Sequence, residues 1–183
     1  MIFNETRLKG VYLIELEPLE DARGFFARTF CREEFEKHGL NPCVAQCNVS
    51  FNRRSGTLRG MHYQVPPYSE AKLITCLAGT IYDVIIDLRH DSPTYRAWEA
   101  FELCGRRPQL TGHFKMLYIP EGFAHGFQTL EDDTEVFYQM STFYHSPSAR
   151  GLRWNDPTFN IQWPDAERTM SEQDRNFPNF IAD

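Results

Sequence analysis

Three parts of the chain carry side chains that could catalyse proton transfer. They are residues 58–64 (LRGMHYQ), the lysine at position 72, and residues 120–127 (PEGFAHGF), which are followed by Tyr138. Histidine side chains in general titrate near neutrality, so the imidazole at position 62 can take a proton from carbon if a nearby group stabilises the oxyanion. Lys72 could supply that positive charge, and the phenol of Tyr138 could return a proton from the opposite side. A base and an acid placed in this way can invert a stereocentre next to a ketone.

The spacing of Pro120, Gly122 and His125 resembles the second motif of the cupin jelly rolls. In the first cupin motif, a His-x-His pair and a following Glu bind a metal ion. Here that stretch reads His62-Tyr-Gln64, and Lys72 lies near the position of the Glu. An amide and an ammonium are poor ligands for a divalent cation. We therefore expect no metal ion.

Each of these side chains also has a structural explanation. A lone histidine on a strand, such as His62, is more often a hydrogen-bonded core residue, and a lone lysine is usually solvated. Tyr138 lies in an aromatic run that would suit a core, and His125 fits a structural role and a substrate contact equally well. The neighbouring motifs favour the catalytic interpretation of His62.

The elements that would position these residues are mainly β-strands. Short runs of strand composition recur every 8–12 residues or so, which is typical of an all-β sandwich or barrel. A helix is predicted over residues 32–38, and Ser171 is predicted to cap a second short helix that contains Asp174. The chain is expected to form one domain over residues 1–183. The predicted strands are residues 11–16, 25–30, 44–51, 58–64, 72–78, 80–88, 95–103, 115–119, 123–129 and 135–141.

Composition and charge exclude several classes of partner. The formal net charge is −6 and no basic stripe is present, so nucleic acid is not an expected partner. No run approaches the ~20 apolar residues of a membrane span. The N-terminal residues do not resemble a signal peptide, and the five cysteines include no CxxC pair. These features predict a cytoplasmic protein with reduced thiols.

Ordered motifs between residues 10 and 178 resemble the dTDP-4-dehydrorhamnose 3,5-epimerase family. So many motifs in order are far more specific than any one of them alone. The matching segments are Asp21-x-Arg-Gly-Phe-Phe26, Gln46-x-Asn48, Leu58-Arg-Gly-Met-His-Tyr-Gln64, Lys72-Leu73, Asp83-x-x-x-Asp87-Leu-Arg89, Ser92-Pro-Thr94, Ile119-Pro-Glu-Gly-Phe-Ala-His-Gly-Phe127, Trp154-Asn-Asp-Pro157 and Ser171-x-x-Asp174.

The resemblance implies a cupin-like jelly roll that forms a homodimer and exchanges an N-terminal strand with its partner. It implies a cofactor-independent isomerase acting on a nucleoside-diphosphate 4-keto-6-deoxyhexose. His62 would be the base, oriented by Asp174. Lys72 would stabilise the enolate, and Tyr138 would be the acid.

The resemblance also implies a set of substrate-binding residues. Arg23 and Arg59 would bind the diphosphate, because a planar guanidinium suits phosphate oxygens. Tyr144 would stack on the nucleobase. The remaining predicted binding residues are Gln46, Asn48, His125 and Arg28.

The sequence departs from the family pattern at three places. Arg28 stands where the family usually has a Glu that contacts the nucleotide, and Ala149 replaces another substrate-contacting Glu. Residues 104–115 form a longer segment than expected. These changes leave open a cytidine or guanosine carrier, or inversion at C3 alone. A sugar-nucleotide ketoisomerase on a related barrel, or a non-catalytic cupin that binds a sugar or a metal, would also fit the sequence.

Overall fold

Residues 1–105, 114–165 and 168–181 are described by a computed structural model. Strands dominate this part of the chain, and the two α-helices in it are short: α1 (Arg32–Lys37) and α2 (Glu172–Arg175). The strands are β1 (Ile2–Glu5), β2 (Tyr12–Glu15), β3 (Leu19–Asp21), β4 (Gly24–Phe26), β5 (Gln46–Asn52), β6 (Leu58–Gln64), β7 (Lys72–Ala78), β8 (Thr80–Asp87), β9 (Trp98–Cys104), β10 (Lys115–Ile119), β11 (Phe123–Thr129), β12 (Thr134–Met140) and β13 (Ala149–Gly151).

The strands form two main antiparallel sheets that pack face to face. One sheet has six strands in the order β1-β2-β10-β7-β12-β5, and the other has five in the order β13-β6-β11-β8-β9. Ile74 and Leu117 from the first sheet meet Ile85 and Phe127 from the second in one buried core. Full burial of such a side chain contributes about 1.5–3 kcal/mol. This packing confirms the expected jelly-roll sandwich.

The strands that carry the predicted site match the sequence prediction closely. β6, β7, β10 and β11 begin and end at the predicted residues. The strand predicted over residues 25–30 is shorter, because β4 pairs only with the three residues of β3 and ends at Phe26. β1 and β13 were not predicted, since they are too short to show an alternating pattern.

The chain beyond residue 144 forms an extended tail held by aromatic side chains, as predicted. Trp163 donates its indole N–H to the Trp154 carbonyl over 2.8 Å. Phe159 and Ile161 are buried in a second core against Met61 of β6. The tail therefore fixes α2 beside the sheet that contains β6.

The N-terminal region has two different parts. β1 pairs with β2 of the same chain, with Ile2 opposite Glu15. β3 and β4 form a hairpin separate from both main sheets, and it exposes 72% of Leu19 and 73% of Phe26. Exchange of an N-terminal strand between two copies stays a prediction.

Two other sequence predictions concern the chain outside the site. The longer segment predicted at residues 104–115 falls mostly on residues 106–113, which lie outside the described residues. Within the described residues, no helix has both the length and the apolar character needed to cross a membrane.

Gly60 allows β6 and β11 to approach each other at the predicted site. Its φ is +124°, and an added Cβ would lie 2.5 Å from the Gly126 Cα atom and 2.8 Å from the His125 carbonyl oxygen. Both contacts are with backbone, which cannot rotate away as a side chain can. The strands also lose their regular register between His125 and Phe127, so Arg59 and His62 of β6 both reach the same side.

We expect Gly60→Ala to reduce the free energy of unfolding by about 3 kcal/mol through steric overlap and backbone strain. Gly24→Ala is the matched control, because Gly24 has a φ of +123° and nothing within 4 Å of an added Cβ. Denaturant unfolding of both variants measures the difference. If both variants lost the same free energy of unfolding, backbone strain alone, and not the contact with β11, would account for the need for glycine at position 60.

Candidate active site

A cavity of about 580 Å³ opens between the two sheets and gathers most of the predicted site residues. Its lining includes the base, the acid, the lysine and most of the binding residues named from the sequence. These lining residues are Gln46, Asn48, Arg59, His62, Lys72, His125, Tyr138 and Tyr144. Asp174 lies behind His62, in hydrogen-bond contact with its ring.

His62 is held by Asp174 of α2. The His62 Nε2 atom lies 2.8 Å from Asp174 Oδ1, and the Gly60 N–H donates to Asp174 Oδ2 over 3.2 Å. Ser171 caps α2 by accepting from the Asp174 N–H over 3.0 Å, which fixes the carboxylate. With Nε2 bound in this way, Nδ1 is the nitrogen left to accept a proton. The His62 side chain is 46% exposed, so a ligand can reach it.

The carboxylate of Asp174 is ionised and buried. Burial would raise the pKa of Asp174, but the hydrogen bonds from His62 and the Gly60 N–H outweigh it and hold the pKa below its usual value. A fixed negative charge next to the imidazole favours the protonated ring that forms when His62 takes a proton. This arrangement is therefore suited to general-base catalysis.

Tyr138 and Lys72 face the cavity from the other sheet. Tyr138 of β12 lies opposite Asn48 of β5, and Met140 of the same strand lies opposite Lys72 of β7. Burial raises the pKa of Tyr138, and the nearby Arg59 guanidinium offsets part of that shift. The phenol therefore keeps its proton at neutral pH and can act as a donor.

Lys72 has an ionic partner that the sequence did not suggest. Its Nζ atom lies 3.1 Å from Glu70 Oε1, in a pair whose side chains are only 9% and 3% exposed. Gln64 contacts the same carboxylate, with its Nε2 donating to Glu70 Oε2 over 2.9 Å. The sequence offered one sign of this ion pair: Glu70 lies two residues before Lys72, which is the first residue of β7.

His125 both lines the cavity and has a buried partner. Its Nε2 atom lies 2.9 Å from Asp83 Oδ2, and Asp83 is fully buried in β8. In the register of β6 and β11, His125 lies directly opposite His62. The two predicted roles of His125, structural and substrate-contacting, are thus both compatible with its position.

Polar groups on the cavity wall are held by neighbouring residues. The Arg59 Nε–H donates to Asn52 Oδ1 over 2.8 Å, which orients the guanidinium. Gln46 Oε1 accepts from the Tyr144 N–H over 2.8 Å and so fixes the backbone of an otherwise exposed tyrosine. These contacts organise the wall for a polar, anionic ligand.

Arg23 and Arg28 are not among the residues that line the cavity of their own chain. The Arg23 side chain is 90% exposed on the β3–β4 hairpin and pairs with Asp21. The Arg28 Nη1 donates to Glu34 Oε1 over 3.0 Å. One chain alone does not bring either arginine to the cavity, because both belong to a segment outside the two main sheets. Their roles in substrate binding stay predictions.

The cavity wall has few groups that suit a metal ion. In the described ranges, no three or more His, Cys, Asp or Glu side chains are grouped so as to bind one. The two imidazoles each use Nε2 for a carboxylate, and Gln64 and Lys72 contribute an amide and an ammonium. That the protein needs neither a metal nor a cofactor stays a prediction.

The jelly roll and its opposed imidazole and phenol define an acid–base isomerase of the cupin-like class. The family model of dTDP-4-dehydrorhamnose 3,5-epimerase matches residues 5–182, and the chain belongs to this family. The Shigella flexneri dTDP-4-dehydrorhamnose 3,5-epimerase is 36% identical over 178 residues, which cover 97% of this chain and 94% of that protein.

Solved structures give the same result. The Bacillus anthracis dTDP-4-dehydrorhamnose 3,5-epimerase, with TDP and PPi bound, has a TM-score of 0.90 and 37% identity, covering 98% of this chain and 99% of its own. A 3'-monoepimerase from Streptomyces bikiniensis in complex with dTDP-quinovose has a TM-score of 0.85 and 31% identity, covering 95% and 85%. The chain is thus an epimerase of nucleotide-linked sugars.

We expect Asp174→Asn to reduce the free energy of unfolding by about 2 kcal/mol at neutral pH, because a buried charged hydrogen bond is lost. The pKa of Asp174 is lowered on folding, so its contribution is complete above about pH 4 and is lost as the pH falls further. Urea unfolding from pH 7 downwards should therefore show the difference between wild type and variant shrinking below that pH. Glu172→Gln, an exposed carboxylate on the same helix, is the control and should give little difference at any pH. A difference for Asp174→Asn that does not change with pH would contradict this assignment.

Proposed function

We propose that the protein inverts C3 and C5 of a 4-keto-6-deoxyhexose carried on thymidine diphosphate. The observation that supports this most strongly is the shared cavity, which His62, held from behind by Asp174, enters from one sheet and Tyr138 from the facing sheet. The opposed positions suit removal of a proton from one face of the sugar and its return to the other.

In the proposed reaction, Nδ1 of His62 takes the proton from the carbon next to the ketone. The electron pair moves onto the ketone oxygen, and Lys72 stabilises the enolate as a cation. Asp174 stabilises the imidazolium that results. Tyr138 then donates its phenolic proton to the opposite face of the carbon, and proton exchange with water restores both groups. No redox step occurs, so the reaction needs no cofactor.

The rest of the wall supports binding of the nucleotide part. Arg59 would bind the diphosphate, with His125 beside it, and Tyr144 would stack on the base. Gln46 and Asn48 supply amide groups on the opposite sheet. These roles come from the family resemblance and fit the positions of the side chains.

The second candidate function is an epimerase that uses a different nucleotide carrier or inverts a different set of carbons. Ala149 lines the cavity, so the carboxylate that the family usually has there is missing from the wall itself. A 3'-monoepimerase is also among the solved relatives. A cytidine or guanosine carrier, or inversion at C3 alone, therefore belongs in the test.

The proposal includes a homodimer and a cytoplasmic location. Arg23 is more exposed than is expected of a side chain that binds a diphosphate within a cavity. The hairpin that carries it also exposes Leu19 and Phe26. A second copy could accept this hairpin, which would carry Arg23 to the partner's cavity. The five free cysteines fit a reducing compartment.

The function is tested by incubating the protein with 4-keto-6-deoxyglucose linked to thymidine, cytidine or guanosine diphosphate in heavy water. We expect deuterium at C3 and C5 of the thymidine-linked sugar, detected by NMR and mass spectrometry. His62→Asn should reduce the exchange rate at least about 10³-fold, because the base is removed. Exchange at C3 alone, or with another carrier, would support the second candidate, and movement of the carbonyl would indicate a ketoisomerase. No exchange with any carrier would refute the epimerase.

In the same assay, Tyr138→Phe should separate two steps. We expect deuterium exchange to fall less than about tenfold, while net inversion falls about 10²-fold or more, because only proton return needs the phenol. Chiral analysis of the product sugar, alongside its deuterium content, measures the two steps separately. Equal losses of exchange and inversion would contradict the role of Tyr138 as the acid.

Whether the β3–β4 hairpin of one copy reaches the cavity of its partner can be tested by mixing two variants that are each impaired. Arg23→Ala should lower kcat/KM by about 10–100-fold through loss of charged hydrogen bonds to phosphate. Mixed dimers of Arg23→Ala and His62→Asn would contain one intact cavity, so refolding the two together should restore about a quarter of wild-type activity. Arg32→Ala, an exposed arginine on α1, is the control and should keep full activity. Restoration no greater than the average of the two parents would argue against a shared cavity.

A further inference from the structure

Glu70 is a buried carboxylate that the proton transfers do not use. It lies in the loop just before β7 and is 7% exposed as a residue. It lines the cavity, so its charge lies in the wall that faces the substrate. A buried carboxylate is costly unless it is paired and hydrogen-bonded. The residues that pair with Glu70 therefore indicate its role.

Gln64 fixes one oxygen of this carboxylate. The Gln64 Nε2 atom donates to Glu70 Oε2 over 2.9 Å and to the Tyr68 carbonyl over 2.8 Å. Its Oε1 atom accepts from the His145 N–H over 2.6 Å, so the amide is fixed at both ends. The Tyr68 and His145 rings stack with centroids 3.9 Å apart, which holds the two loops together. Glu70 Oε1 is left directed at Lys72.

Lys72 is held on two sides. Its Nζ atom lies 3.1 Å from Glu70 Oε1 and donates to the His62 carbonyl oxygen over 3.4 Å. An ammonium has three N–H donors, so one remains for a ligand oxygen in the cavity. An unpaired amine at this position would lose its charge more readily and could add to a ketone as a nucleophile.

We propose that Glu70 is the positioning residue that keeps Lys72 a charged ammonium and directs its free N–H at the ketone oxygen of the substrate. Glu70 thereby acts through Lys72 on the enolate and does not touch the sugar. Gln64, which fills the place of a metal ligand in other cupins, serves this ion pair by orienting Glu70. This inference rests on the proposed function, because it assigns the ketone oxygen as the ligand of Lys72.

A double-mutant cycle tests whether Glu70 acts through Lys72. We expect Glu70→Gln to lower kcat for deuterium exchange by about 10–100-fold, with KM changed less than about threefold. In a Lys72→Met background, the same change should alter kcat by less than about threefold, because the group it positions is gone. Glu15→Gln is the matched control, since Glu15 pairs with Lys115 at 3.6 Å and neither residue lines the cavity. It should leave kcat unchanged.

A second measurement needs no sugar. Trinitrobenzenesulfonate reacts only with the uncharged form of an amine, which displaces sulfite from the ring and loses a proton to buffer. At pH 8, peptide mass spectrometry should show Lys72 labelled about tenfold faster in Glu70→Gln than in wild type. Glu15→Gln should leave the labelling of Lys72 unchanged. Glu70→Asp keeps the negative charge but moves it further from Lys72, so Lys72 should be labelled at an intermediate rate. This variant replaces Glu70→Gln if Glu70→Gln does not fold.

The two measurements separate this inference from the proposed function. If wild type exchanges no sugar proton, the proposed function fails, and the labelling rates alone decide the role of Glu70. If wild type is active but Glu70→Gln keeps full kcat, or if its effect multiplies with that of Lys72→Met, the role of Glu70 is overturned. Equal labelling of Lys72 in wild type and Glu70→Gln overturns it as well.

Discussion

The hydrogen bond between His62 and Asp174 is the interaction on which the rest of the site depends. It joins β6 to α2 across 112 positions of sequence and leaves only Nδ1 of the ring for the substrate. The same carboxylate accepts from the N–H of Gly60, where the backbone of β11 leaves no room for a Cβ atom on β6. Packing of the two sheets then sets Tyr138 across the cavity from this nitrogen. The proposed base and acid are thus held apart by a rigid core, which suits the proposed inversion of a carbon between them.

Much of the fold and of the site could be predicted because local patterns match the final structure. β6, β7, β10 and β11 alternate or are almost wholly apolar between clear turn residues, so their bounds follow from the sequence. Ser171 could be recognised as a helix cap from residue type and spacing alone. The chemistry predicted for His62, Lys72 and Tyr138 follows from what an imidazole, an ammonium and a phenol can do, while their common cavity was expected only from the resemblance to a family.

Other features could not be predicted because they depend on contacts between distant residues. The register shift beside Gly60 places Arg59 and His62 on the same side of β6, although simple alternation would separate them. No local pattern predicts that Glu70 is buried against Lys72, and only the structure shows this ion pair. The hairpin that carries Arg23 pairs with neither main sheet, so no local pattern reveals where its side chains bind.

Asp174 comes from the C-terminal tail, and this position affects the order in which the site is completed during synthesis. Every named strand in the described residues ends by Gly151, so all of these strands leave the ribosome before α2 does. Such a nascent chain lacks the partner of its imidazole, and it also lacks the part of the cavity wall that Gln173 and Phe177 supply. The hydrogen bond from the Trp163 indole to the Trp154 carbonyl does not involve the cavity wall, but it helps to hold the tail that precedes Asp174. Proteolytic trimming ahead of α2 would remove Asp174 and leave His62 without its carboxylate partner.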